Sequence, residues 1–79
     1  MLIWQSVFQV PKHRRLLGDA IRQYRKRANL SQEKLAEKVD LHPGYVSQVE
    51  RGVKTISVDA LLRIAKVLGV SLRDLVVGI

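Results

Sequence analysis

The stretch LHPGYVSQVERG, residues 41–52, places hydrogen-bonding side chains at helical spacing. From Pro43 onward this spacing turns Val46 and Val49 inward. The outer side then carries Gly44, Ser47, Gln48 and Arg51. Side chains that are short or form hydrogen bonds, with no acid among them, suit contacts with the edges of nucleic-acid bases. Pro43 disfavours a helix interior but fits the first helical position, so we predict that a helix begins there, with His42 as its N-cap.

A second feature is a cluster of basic residues in a chain of 79 residues with a formal net charge of +7. The same stretch of sequence contains a single acid, Asp19. The basic cluster comprises Arg14, Arg15, Arg22, Arg25, Lys26 and Arg27. Such a surface attracts polyanions, which include nucleic acid, an anionic membrane and an acidic protein. A solvated basic helix face explains the charge run alone equally well.

Several classes of protein are excluded by what the sequence lacks. There is no cysteine, and His13 and His42 have no further ligand at metal-site spacing, so we expect neither disulfides nor a metal. The sequence has no acid–base pair, nucleophile or phosphate-binding loop, so we expect no enzyme and no cofactor. No apolar run reaches the roughly 18 residues of a membrane span, and the N-terminus lacks the features of a signal peptide. We therefore expect a cytoplasmic protein associated with the nucleoid.

Apolar periodicity and capping residues predict an all-α domain over residues 12–79. Its five helices are predicted over about residues 12–29, 32–39, 43–51, 58–68 and 72–77. Ser31, Ser57 and Ser71 are the predicted N-caps of the second, fourth and fifth helices, and Asp74 completes a capping box with Ser71. Gly52 is predicted to follow the end of the third helix.

Residues 1–11 differ from the rest and form a predicted N-terminal arm. Their alternating β-branched and aromatic residues favour an extended strand that ends at Pro11. A helix that pairs Trp4 with Phe8 is the alternative. Because an isolated strand is unstable in water, the arm must pair with a second subunit or lie against the domain.

The second and third predicted helices are short and are joined by a three-residue turn, Asp40 to His42. This arrangement is typical of a helix-turn-helix, in which the two helices cross steeply. The second helix of such a motif presents its outer face to the major groove of DNA.

Two longer stretches carry a resemblance to a known family: LSQEKLAEKVDLHPGYVSQVERG and ISVDALLRIAKVLGVS. They resemble the Cro/C1-type helix-turn-helix regulators (the XRE family), over about residues 14–77. The recognition segment is most similar to restriction–modification controller proteins, through Tyr45-Val46-Ser47 and Glu50-Arg51-Gly52. Phage-type repressors and antitoxins share much of the pattern. The resemblance implies a five-helix, lambda-repressor-like DNA-binding domain.

The same resemblance implies roles for individual positions. Gln32 matches a residue that contacts a backbone phosphate, although a solvated glutamine is the alternative. Positions that contact bases or the backbone of DNA correspond to Tyr45, Ser47 and Gln48, and partial burial is the alternative for Tyr45. Together with the outward-facing Gly44, these are the predicted base-reading residues. The family positions that hold the sugar–phosphate chain of DNA correspond here to Arg51, Lys54 and Thr55.

Glu50 needs a different role, because an acid that faces DNA is repelled by the phosphates. In the family, an arginine of the first helix pairs with the glutamate at this position, and Arg25 is the match. The resemblance therefore implies a structural ion pair between Arg25 and Glu50.

The chain departs from the family pattern at three positions. Many relatives carry long polar or basic side chains where this chain has Pro43 and Gly44, and a glycine where it has Asp40. Asp40 is among the residues that tolerate the left-handed conformation. The bare first turn of the third helix is predicted to let backbone N–H groups approach DNA closely.

The resulting hypothesis is a dimeric, sequence-specific regulator of transcription on a pseudo-palindromic DNA site. The apolar C-terminus and the arm are predicted to supply the dimer surface, through Trp4, Phe8, Leu72, Leu75, Val76, Val77 and Ile79. The alternative is an antitoxin or adaptor whose N-terminal arm binds a toxin or another protein partner.

Overall fold

The computed structural model describes residues 10–78, and every regular element in that range is a helix. The helices are α1 Lys12–Arg27, α2 Gln32–Val39, α3 Pro43–Glu50, α4 Val58–Leu68 and α5 Leu72–Val76. The predicted all-α class is confirmed. Of the arm predicted over residues 1–11, residues 1–9 lie outside the described residues, together with Ile79. Val10 and Pro11 precede α1 and belong to no regular element.

The helix ends lie within two residues of their predicted positions. α1 ends two residues early because Asn29 adopts a left-handed conformation with φ of 58°. α3 ends at Glu50 rather than Arg51, and Gly52 follows with φ of 77°. α5 ends at Val76 because Val77 is extended.

The predicted serine caps are all present. The hydroxyl oxygens of Ser31, Ser57 and Ser71 accept from the backbone N–H three residues later, at 3.0–3.1 Å. The Asp74 carboxylate accepts from the backbone N–H of Ser71 at 3.0 Å and completes the capping box. This backbone bond and the Ser71 hydroxyl hold the pKa of the exposed Asp74 carboxyl below its ordinary value.

The turn between α2 and α3 has the predicted conformation. Asp40 lies in the left-handed region, with φ of 58° and ψ of 48°. The Leu41 N–H then donates to the Ala36 carbonyl at 2.9 Å, which closes the end of α2. His42 is extended, as the residue before a proline prefers, and Pro43 takes the first position of α3.

All five helices contribute to one apolar core. The core residues are Ile21, Leu35, Ala36, Val39, Val46, Val49, Leu61, Ile64, Ala65 and Leu75. Leu75 has no exposed surface, so its predicted place at a dimer surface is wrong. A side chain that its own protomer encloses is not accessible to a second copy. Within residues 10–78, no helix has the length and hydropathy of a membrane span.

Gly18 allows α1 to cross close to the C-terminal end of α3. It is buried, and a Cβ atom there would overlap the carbonyl oxygen of Glu50 and lie 2.5 Å from that of Val49. Both neighbours are backbone atoms, so neither can move aside without a shift of α3. The crossing of the two helices therefore depends on the absence of a side chain at position 18.

Replacing Gly18 with alanine is expected to lower the free energy of unfolding by about 1–3 kcal/mol, the usual cost of an extra carbon in a filled contact. Urea unfolding monitored by circular dichroism measures the change. The control is Gln23→Ala at an exposed position of α1, where about 0.5 kcal/mol or less is expected. A Gly18→Ala variant as stable as the parent would show that α1 and α3 can separate here.

Candidate nucleic-acid interface

A buried ion pair joins α1 to the last residue of α3. Arg25 Nε donates to Glu50 Oε2 at 2.6 Å, and Arg25 Nη2 donates to Glu50 Oε1 at 3.0 Å. The Glu50 side chain is 1% exposed and the Arg25 side chain 10%. Arg25 Nη1 also donates to the Leu30 carbonyl at 2.8 Å. The two charges therefore neutralise each other inside the protein.

Gln32, the first residue of α2, is the third member of this cluster. Its Nε2 donates to Glu50 Oε1 at 2.9 Å, so that one oxygen accepts from both Arg25 and Gln32. The half-buried Gln32 is thus neither a fully solvated residue nor free to turn. A primary amide has two N–H donors, so one N–H of Gln32 remains for an acceptor outside the protein. We refer to Arg25, Gln32 and Glu50 as the ion-pair cluster.

α3 has the predicted division between an inner and an outer side. Val46 and Val49 are buried, whereas Ser47 and Gln48 are half-buried and Gly44 is exposed. The Gln48 carbonyl accepts from the backbone N–H of Val53 at 2.9 Å, which folds the following loop back on the helix. Ser47 and Gln48 therefore present polar groups from a helix whose other side is fixed in the core.

Tyr45 connects α3 to the loop that follows it. Its hydroxyl donates to the backbone carbonyl of Thr55 at 2.7 Å, and its ring is half-buried against the core. The Tyr45 ring is thus partly buried, as the alternative interpretation expected, while its hydroxyl group makes a polar contact with the loop. The phenol oxygen can still accept a hydrogen bond, but its own proton is committed. Arg51, Lys54 and Thr55 are exposed in the same loop.

The first turn of α3 does not offer free backbone donors. The Gly44 N–H donates to His42 Nδ1 at 2.9 Å, and the Tyr45 N–H donates to the His42 carbonyl at 3.0 Å. Pro43 has no N–H. The free amides that were expected to approach DNA are therefore not present in this turn, because the N-cap has already satisfied them.

The basic cluster of α1 divides into buried and exposed members. Arg25 belongs to the ion-pair cluster, and Arg14 is half-buried, with Nη1 3.4 Å from the Val53 carbonyl. The Arg27 guanidinium lies over the Tyr24 ring at 5.1 Å, a cation–π contact. The exposed members are Arg15, Arg22, Lys26 and Arg27. In residues 10–78, no three histidine or acidic side chains form a group that could hold a metal.

Comparison with known proteins identifies this arrangement. A family model described as helix-turn-helix matches residues 21–75, well over half of the chain. The chain belongs to the Cro/C1-type helix-turn-helix family. The predicted family is therefore confirmed, and with it the general function of its members, DNA binding in the regulation of transcription.

Relatives of this Cro/C1-type protein include controller proteins. It is 48% identical over 63 residues to control protein C.BamHI of Bacillus amyloliquefaciens, with 78% of each chain covered. Its fold matches the restriction–modification controller protein C.AhdI of Aeromonas hydrophila, with a TM-score of 0.76 and 35% identity over 78% of this chain and 94% of that one. SinR, the master regulator for biofilm formation, solved in complex with DNA, gives a TM-score of 0.71 and 37% identity, over 75% of this Cro/C1-type chain and 95% of that one.

Three features of this Cro/C1-type site were not predicted. Sequence spacing indicated neither the Gln32–Glu50 hydrogen bond nor the close approach at Gly18, because both depend on how separate helices are placed. The third feature is the hydrogen bond that the His42 side chain accepts, and the sequence did indicate it. Histidine is the one residue in the predicted turn that can supply a neutral nitrogen acceptor to a helix N-terminus.

Replacing Glu50 with glutamine is expected to reduce the free energy of unfolding by about 3–5 kcal/mol, because it leaves Arg25 buried without a counter-charge. Thermal or urea unfolding measures the loss. Glu37→Gln is the control, since Glu37 forms an exposed pair with Lys34 at 3.6 Å, and exposed pairs contribute about 0–1 kcal/mol. Equal stability of the two variants would contradict a structural role for the Arg25–Glu50 pair.

Proposed function

We propose that this chain is a dimeric, sequence-specific regulator of transcription that places α3 in the major groove of a pseudo-palindromic DNA site. The observation that carries the proposal is the polar outer side of α3, which continues into the exposed basic loop after it. Its inner side is fixed by the core and by the ion-pair cluster. A helix held in this way can present its side chains to base edges without first becoming ordered.

Base reading is assigned to the outer side of α3. Gln48 has an amide that can bond an adenine edge in a bidentate manner, and the Ser47 hydroxyl can donate or accept. Tyr45 contributes a phenol oxygen as an acceptor and the edge of its ring. Gly44 gives the duplex close access to the first turn, since it carries no side chain.

Phosphate contacts are assigned to Gln32 and to the loop after α3. One N–H of the Gln32 amide remains beside the bond to Glu50, and the dipole of α2 favours an anion there. The loop supplies the charges of Arg51 and Lys54 and the hydroxyl of Thr55. Phosphate contacts from both elements would hold the register of α3 on the duplex.

Electrostatics support this orientation. Glu50 does not repel DNA because its charge is buried and paired with Arg25. The formal net charge of +7 and the exposed arginines and lysines of α1 provide a positive field. Such a field accelerates encounter with DNA and makes affinity dependent on salt.

A second copy is proposed because one recognition helix reads only a few base pairs. α5 and the residue after it supply the surface: Leu72 is half-buried, whereas Val76 is 37% exposed and Val77 70% exposed. Trp4, Phe8 and Ile79 were predicted to add to it, and they lie outside the described residues. The same holds for residues 1–9 of the arm on which the antitoxin alternative depends.

The reading function can be tested with DNA selected in vitro from a random pool. Gln48→Ala is expected to weaken binding to the selected site by about 1–3 kcal/mol and to relax preference at the contacted base pair. Lys54→Ala is expected to weaken binding to all DNA sequences equally. It is also expected to reduce the slope of log affinity against log salt concentration by about 0.9. Fluorescence anisotropy over a range of salt concentrations measures both.

Lys66→Ala on α4 is the charge-matched control for Lys54→Ala, because it removes an exposed lysine outside the proposed surface. Its salt slope is expected to stay close to that of the parent. If the parent protein binds random DNA as tightly as the selected site, sequence-specific regulation is refuted and only a general affinity for polyanions remains.

The proposed dimer can be tested separately by sedimentation equilibrium without DNA. Val77→Asp is expected to weaken self-association at least tenfold, because it buries a charge in an apolar contact. Val53→Asp is the matched control, since Val53 is 48% exposed but lies in the loop after α3. A dimer constant that Val77→Asp leaves unchanged would place the interface elsewhere.

A further inference from the structure

His42 has a side chain whose hydrogen bonding is fixed on one edge and open on the other. Its Nδ1 accepts from the Gly44 N–H at 2.9 Å, and the residue is exposed. A nitrogen that accepts carries no proton, so the neutral ring must carry its proton on Nε2. The imidazole is therefore oriented with Nδ1 on the helix and an Nε2–H donor on the opposite edge.

Gly44 provides the space in which this ring lies. A Cβ atom at position 44 would be 3.1 Å from His42 Nδ1 and 3.3 Å from Cε1, which is tighter than ordinary van der Waals contact. The imidazole thus packs against the first turn of α3, where an alanine would press on it. Gly44 is explained by the ring beside it as well as by access for DNA.

The ring also supplies what the first turn otherwise lacks. Pro43 has no N–H, and the amides of Gly44 and Tyr45 are already bonded to His42. Neither Pro43 nor Gly44 has a polar side chain. The Nε2–H of His42 is thus the donor that the first turn presents outward.

We propose that His42 is a further DNA-contacting residue, whose Nε2–H donates to an acceptor on the duplex. The acceptor is a guanine N7 or O6 in the major groove or a phosphate oxygen, which are the acceptors within reach of a helix N-terminus in that groove. This inference rests on the proposed placement of α3. Gln48 follows His42 by six positions, about 9 Å along a helix, so the two side chains contact different nucleotides.

His42→Ser separates the DNA contact from the capping role. Serine caps α2, α4 and α5 of this same chain, so the helix start is expected to survive the change. The melting temperature should stay close to that of the parent, while affinity for the selected site falls about tenfold, the effect of one lost contact to a base or phosphate. Anisotropy and thermal unfolding are measured on the same preparations.

Two sources of the acceptor are then distinguished by repeating the DNA selection with His42→Ser. Relaxed preference at one base pair identifies a guanine acceptor. An equal loss of affinity for every sequence identifies a phosphate. His42→Asn is the second capping variant and is used if the serine variant has a lowered melting temperature.

A double-mutant cycle with Gly44→Ala tests whether the His42 imidazole makes the contact with DNA. In the parent, Gly44→Ala is expected to weaken binding because its Cβ displaces the imidazole. In the His42→Ser background, the same substitution is expected to weaken binding less, because only the close access of the duplex to the first turn is then lost. Equal losses in the two backgrounds would contradict the proposed contact.

A comparison of His42→Ser with Gln48→Ala distinguishes failure of the His42 contact from failure of the proposed placement of α3. If His42→Ser binds DNA like the parent while Gln48→Ala does not, the His42 contact is refuted and the placement of α3 stands. If both variants bind like the parent, α3 does not face DNA, and the proposed function is refuted as well.

Discussion

The structure depends on the buried ion pair between Arg25 and Glu50. A buried charge is costly unless its partner and its remaining hydrogen bonds are present, and here Glu50 accepts three bonds while Arg25 also bonds the Leu30 carbonyl. These contacts hold the end of α3 against α1 and the start of α2. They also fix the amide of Gln32. One interaction therefore sets the position of the proposed recognition helix and of a proposed phosphate contact.

The outer parts of the proposed interface are built by local bonds around α3. At its start, His42 satisfies the amides of the first turn, and at its end the loop returns to the Gln48 carbonyl. Tyr45 reaches the Thr55 carbonyl across the same surface. The helix is short, yet both of its ends and its inner side are held. Ser47 and Gln48 remain on the outer side, while Tyr45 and His42 both support the local fold and face outward.

The sequence predicted the features that depend on neighbouring residues. Ser31, Ser57 and Ser71 signalled helix starts because a cap requires only a few adjacent positions. The left-handed conformation of Asp40 followed from the family resemblance, because relatives carry a glycine at this position. The Arg25–Glu50 pair, 25 residues apart, came from the family resemblance and not from spacing.

Leu75 was assigned to the wrong environment because a five-residue helix has too few turns to show which side is apolar. The bond from Gln32 to Glu50 and the close contact at Gly18 were missed because they depend on the relative placement of separate helices. The amides of the first turn of α3 were taken as free because His42 was predicted as the N-cap from its backbone conformation before Pro43, without its ring nitrogen as an acceptor. Capping preferences for serine, aspartate and asparagine describe common solutions, and they do not exclude a ring nitrogen.

The contact between Gly18 and the carbonyls at the end of α3 has a consequence for how a complex with DNA would reach its final shape. Where backbone meets backbone, no side chain can rotate to absorb a mismatch, so α1 and α3 behave as one stiff body. In the proposed complex, a mismatch in shape would then be taken up by the duplex, which would bend or twist to match the protein. The energy of such a deformation depends on base-pair steps that no side chain touches. A glycine in the interior of the protein would thereby give the flexibility of DNA a part in the choice of site.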